Sequence, residues 1–115
     1  MQVLAQVLTV LVALLHVYFL VLEMFLWTKP LGLKVFGQSR EKAEQSKVLA
    51  ANQGLYNGFL AAGLVYGLAT GSREFCLFFL ACVVVAGVSG AATVSRKTLF
   101  VQALPALFAF AAWLL

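Results

Sequence analysis

Apolar positions dominate the chain in long runs, broken by one long and two short polar segments. The first run extends from about Val3 to Trp27 and stops at Thr28-Lys29-Pro30, where proline cannot continue a helix. A long polar stretch follows, from Thr28 to Lys47, and its second part reads as a helix start. There Ser39 precedes Arg40-Glu41-Lys42-Ala43-Glu44, an N-cap with acids in the first turn. That helix continues into a second apolar run, about Val48 to Ala69, which ends at the turn Gly71-Ser72-Arg73-Glu74. A third run covers about Phe75 to Val94, a turn falls at Ser95-Arg96-Lys97, and a fourth run covers about Thr98 to Leu115. Each run is near the ~20 residues needed to cross a ~30 Å hydrocarbon layer. Short turns make neighbouring helices antiparallel. The pattern predicts one all-α transmembrane domain over residues 1–115, a four-helix up-down bundle with a cytoplasmic loop 28–47.

Composition agrees. Of 115 residues, 63% are apolar and 10% charged, far from the roughly one-quarter charged residues of a soluble domain. The net charge of +4 does not point to nucleic acid, because the basic residues lie between apolar runs. Lys29, Lys34, Arg40, Lys42, Lys47, Arg96 and Lys97 share one face of the expected bundle, against Arg73 on the other. Basic loops remain in the cytoplasm, so both termini are expected on the outer side of a bacterial plasma (inner) membrane. Cys76 and Cys82, six residues apart inside a run, suit neither a local disulfide nor a metal pair.

Function has to come from polar residues inside the apolar runs, which are costly there unless they line a site or join helices. His16 and Glu23 are seven residues apart and so lie within ~20° on one helical face. Asn52, Gln53, Tyr56 and Asn57 occupy the second span, and Gln102 the fourth. Counting ~1.5 Å per residue from the cytoplasmic ends puts Glu23, Gln53 and Gln102 about 7–9 Å deep, and His16 and Asn57 about 15–18 Å deep. Matched depths on separate helices predict a polar pocket in the cytoplasmic half, lined by His16, Glu23, Asn52, Gln53, Tyr56, Asn57 and Gln102.

Two chemistries fit those groups. In one, the pocket binds or carries a small polar or cationic ligand, with Glu23 as counter-charge and the amides orienting. In the other, an enzyme acts on a lipophilic substrate with His16 and Glu23 as acid and base. A purely structural membrane protein, its amides serving as interhelical glue, is the bland alternative. No metal site or cofactor is expected, since one histidine and one carboxylate among amides leave a metal incompletely coordinated and there is no phosphate-cradling loop.

Small residues predict tight packing. Gly54 and Gly58, continued by Ala61, form one GxxxG stripe, and Gly63 and Gly67 form another pointing nearly the opposite way. The second span should therefore sit between other helices, with a second copy of the chain a candidate partner on the Gly54/Gly58 or Gly63/Gly67 face, and lipid around the rest. Gly87, Gly90 and Ala91 add a third stripe, and Pro105 should bend the fourth span.

The runs His16-Val17-Tyr18, Leu22-Glu23-Met24-Phe25-Leu26-Trp27, Ala50 through Gly63 (AANQGLYNGFLAAG), Gly90-Ala91-Ala92-Thr93 and Phe100-Val101-Gln102-Ala103-Leu104-Pro105-Ala106 resemble the bacterial membrane proteins of the DUF1304 family. The resemblance covers nearly the whole chain. It implies a small four-helix inner-membrane protein and identifies no catalytic residue.

Overall fold

The first apolar run contains neither glycine nor proline before Pro30, and it forms a single long helix, α1 (Gln2–Met24). In this computed structural model, which describes residues 2–93, 97 and 99–115, the remaining elements are α2 (Pro30–Phe36), α3 (Arg40–Ala69), α4 (Arg73–Thr93), a π-helical turn over Leu99–Ala103 and α5 (Leu104–Leu114). The protein is all-α, and no strand occurs among the described residues. Arg96 and most of the expected third turn lie outside the described residues, as do Val94 and Thr98 at the expected span ends. Among the described residues, the segments Gln2–Met24 and Arg73–Gly90 are long and apolar enough to cross a membrane, and Phe100–Leu114 is a shorter apolar helical stretch.

Local chemistry explains the helix ends from Met24 to Arg73. Helix α1 stops three residues before the expected Trp27: the amides of Phe25 and Leu26 both bond Val21 O, at 3.0 and 3.1 Å, and the chain leaves the helix. Pro30 ends nothing. It opens α2 from the first turn, where its fixed φ suits a helix and its missing N–H costs no bond. Gly37, at φ 61°, closes α2 in the left-handed region. Ser39 then caps α3, its Oγ accepting from the Lys42 amide at 3.2 Å. At the far end of α3, Gly71 at φ 67° terminates the helix: its amide bonds Leu68 O and the Ser72 amide bonds Gly67 O, the paired bonds of a Schellman motif. Ser72 at once begins α4 by accepting from the Phe75 amide at 3.1 Å. A three-residue junction between two helices, Thr70 to Ser72, follows from a glycine and a serine in that order.

The described helices group into two compact units, Met1–Leu14 with Leu60–Leu115, and Leu15–Phe59. In the first unit the core is Val12, Ala13, Leu64, Leu80, Val83, Ala106 and Ala109, with Phe79, Phe110 and Trp113 packed against it. Gly63 faces the Phe79 ring and Gly67 faces Cys76 and Phe75, so this glycine pair receives α4 of the same chain. Gly87 meets the π-helical turn: a Cβ there would lie 2.6 Å from both the backbone nitrogen and the Cβ of Ala103. The turn sits just before Pro105, whose missing N–H leaves the preceding carbonyls free for wider i→i+5 pairing. Where the sequence led to the expectation of a bend, the fourth run carries a π-helical turn directly before the proline-containing first turn of α5.

A polar relay ties the ends of that unit. The Trp113 indole donates to Thr9 Oγ1 at 2.8 Å, and the fully buried Thr9 hydroxyl donates onward to Ala5 O at 2.7 Å. Arg73 Nε donates to Trp113 O at 3.0 Å, giving the last turn of α5 a cationic partner for one of its unpaired carbonyls.

In the second unit, Gly54 and Gly58 receive the C-terminal half of α1. A Cβ on Gly54 would stand 3.1 Å from Glu23 Cβ and 3.3 Å from Leu20 O, and one on Gly58 would meet only the tip of Leu20. Helix α2 docks through Gly32, which is buried against the carbonyls of Leu26 and Trp27. Trp27 completes the join, its ring 4.7 Å from that of Phe36 and its Nε1 donating to Ser46 Oγ on α3.

These contacts predict unequal glycine substitutions. Gly87→Ala presses on backbone and should lower stability by about 1–3 kcal/mol, an overpacking cost. Gly58→Ala displaces one flexible side-chain tip and gains helix propensity, so it should stay within about 1 kcal/mol of the parent. Chemical unfolding in detergent micelles checks both. Thr9→Val should cost about 1–3 kcal/mol by stranding the Trp113 N–H, and considerably less when combined with Trp113→Phe, a non-additivity that a double-mutant cycle measures.

Candidate functional site

The expected site residues of the second unit come from two helices, α1 and α3, that the Gly54 and Gly58 contacts hold together. Glu23 projects from the last turn of α1, and Asn57 lies on α3 one turn beyond Gly54. Because Gly54 presents no side chain, the α1 backbone settles close enough for the Asn57 amide Nδ2 to donate to Glu23 Oε1 across 34 residues of sequence. Asn57 is only 3% exposed, and its Oδ1 accepts no hydrogen bond from any described group. A buried carbonyl oxygen without a donor is uncommon and marks a place where a further donor is favoured.

Beside this pair lies an open groove of about 360 Å³ lined by Glu23, Met24, Phe25, Trp27, Thr28, Lys47, Val48 and Ala51. Lys47 could neutralise Glu23, yet its Nζ is engaged by Glu44 Oε2 at 3.1 Å on the exposed side of α3. That is the ion pair found among the described residues. The carboxyl of Glu23 therefore has an amide as its partner, and the cation at the groove is held by another acid.

The other expected site residues are distributed differently. His16 is completely buried, with the Phe19 ring edge-on at 5.3 Å. Asn52 and Tyr56 bond one another on the exposed side of α3, Nδ2 to Oη at 3.3 Å, and Gln53 is also exposed. Gln102 is buried within the π-helical turn of the other unit. Of the seven, Glu23 and Asn57 are joined directly, and Asn52 and Tyr56 form a separate pair. Trp27, Thr28 and Lys47, which also line the groove, escape a reading confined to polar residues within apolar runs. The end of the first run, where Trp27 adjoins Thr28 and Lys29, was the available signal. Among the described residues no group of three histidine, cysteine, aspartate or glutamate side chains is placed to hold a metal ion.

Fold and site together define an all-α protein with membrane-length apolar helices and a carboxyl-carboxamide pair joining two of its helices. The chain belongs to the DUF1304 family: the family model, described as a protein of unknown function, matches residues 10–114. It is similar to the uncharacterized protein YpaA of Lactococcus lactis subsp. lactis (strain IL1403), with 31% identity over 106 residues that cover 89% of each chain. No solved structure matches.

The Glu23–Asn57 bond predicts an asymmetry between its partners. Asn57→Leu removes the donor to a carboxyl and should cost about 1.5–3 kcal/mol, whereas Glu23→Gln keeps an acceptor oxygen and should cost no more than about 1 kcal/mol. Urea unfolding of the two variants in the same micelles compares them directly.

Proposed function

We propose that the protein is a multi-pass integral membrane protein of the bacterial plasma (inner) membrane that binds or carries a small polar or cationic ligand at Glu23 and Asn57. In this reading the segments near 3–27, 48–69, 75–94 and 98–115 cross the bilayer as a four-helix up-down bundle, with both termini outside. Support for the lipid environment comes from the surface. Val3, Val48, Leu49, Phe59, Phe78, Val85, Phe100 and Phe108 are all more than half exposed, a display of large apolar groups that suits hydrocarbon and not water.

The observation that carries the ligand reading is the polar pair itself. Glu23 brings a carboxyl to a groove whose aromatic members are Phe25 and Trp27, and the buried Asn57 bonded to it has a carbonyl oxygen that accepts no hydrogen bond from any described group. Acceptors backed by aromatic faces recognise N–H donors and organic cations. His16, Asn52, Gln53, Tyr56 and Gln102 are not needed at the point of contact.

Isothermal titration of the micellar protein with primary and quaternary alkylammonium ions and with neutral amides tests this directly. An alkylammonium ion should bind, and Glu23→Gln should weaken it at least tenfold, about 1.4 kcal/mol, with the helical content unchanged. Equal affinity of parent and variant, or absence of binding by any cation of the series, would remove the ligand reading.

A further inference from the structure

Helix α2 was absent from the sequence-based expectation, and its surface is not used by the Glu23–Asn57 pair. It is docked through Gly32 and the Trp27–Phe36 ring contact, which leaves Leu31, Lys34 and part of Phe36 exposed. Leu31 and Lys34, three residues apart, are neighbours on one face of the helix. Lys29 precedes the helix, and Arg40 and Lys42 open α3 immediately after it, all exposed. Lys47 is held by Glu44, whereas none of Lys29, Lys34, Arg40 and Lys42 has a carboxylate partner among the described residues. Set against Glu41, the remaining acid of this stretch, the four cations leave a local excess of 4 − 1 = 3 positive charges.

We propose that α2 and the first turn of α3 form a binding surface for anionic phospholipid headgroups, with Lys29, Lys34, Arg40 and Lys42 taking the phosphates and Leu31, with the exposed edge of Phe36 at its flank, meeting the boundary of the acyl chains. Cytoplasmic placement accounts for basic residues in this loop; it does not account for their lying unpaired around a helix that exposes leucine and phenylalanine. That combination is what an anionic membrane surface recognises, by charge attraction and by apolar burial together. A free phosphate would satisfy the cations and leave Leu31 and Phe36 in water, so the lipid is the better match. The proposal rests on the membrane reading above and is independent of any ligand at Glu23.

The full chain in mixed micelles containing equal phosphatidylglycerol and phosphatidylcholine, examined by native mass spectrometry, provides the test. Phosphatidylglycerol should be retained in preference, and the preference should fall about fivefold for each cation replaced in the series Lys29→Gln, Lys34→Gln, Arg40→Gln and Lys42→Gln. High salt should reduce it. Leu31→Ser should weaken retention of both lipids, and glycerol phosphate should displace neither. If the fourfold variant fails to fold, Lys29→Gln/Lys34→Gln alone should show the loss. Equal retention of the two lipids by the parent chain, an unchanged preference in the double variant, or displacement by glycerol phosphate would overturn the proposal. A chain that stays monodisperse in buffer without detergent or lipid would instead overturn the membrane reading beneath it.

Discussion

Two helices can bring their backbones together only where no Cβ stands between them, and most of this protein follows from where α3 and α4 omit one. Gly54 and Gly58 set the approach of α1 within one unit, and Gly63, Gly67 and Gly87 set the approaches within the other. Such contacts gain dispersion energy over a long seam, and they matter most where lipid supplies no hydrophobic driving force between helices. The glycines are spaced by four, so each pair forms one groove. Both grooves are occupied from within the chain.

The same constraint makes the polar pair. Asn57 is one turn from Gly54 on α3, and Glu23 one turn from Leu20 on α1, the residue whose carbonyl oxygen and side chain the two glycines face. A side chain at position 54 would push α1 away and lengthen or break the Asn57 bond to Glu23. Gly54 is thus a positioning residue for chemistry it does not perform. On the other side of the balance, an amide can donate to the carboxyl and still keep its own oxygen open, which a lysine or arginine at position 57 could not do.

Features governed by local rules were legible in the sequence. Ser39, Gly71 and Ser72 announced their caps and turn by residue type, and the long apolar runs gave α1, α3 and α4 with ends shifted by a few residues at most. Depth counting put Glu23 level with Gln53 and Gln102, and Asn57 level with His16, whereas the bond that forms joins Glu23 to Asn57 across those two levels; depth also carries no azimuth. At ~100° per residue, Asn52 and Tyr56 are turned by ~140° and ~100° from Asn57, which places them off its buried face; Gln53 is only ~40° away yet a full turn displaced. Helix α2 is not legible in the sequence because Pro30 after an apolar run marks a helix stop as readily as a first turn. The relay from Trp113 to Thr9 joins residues 104 positions apart, and no local pattern reports it.

Charge placement around the groove adds the final constraint. A partly buried carboxyl can be reached by a lysine along its flexible stem, and Lys47 lines the same groove as Glu23. One turn earlier on α3, however, Glu44 engages the Lys47 ammonium in water-exposed surroundings. Such a pair contributes little to stability, on the order of 0.3–0.5 kcal/mol. Its consequence is local: the nearest cation is occupied by a competing acid, and Glu23 is left with an amide donor and an open groove. The i,i+3 pairing of Lys47 with Glu44 thus gives a solvent-exposed and energetically minor contact a direct bearing on which partner the Glu23 carboxyl keeps.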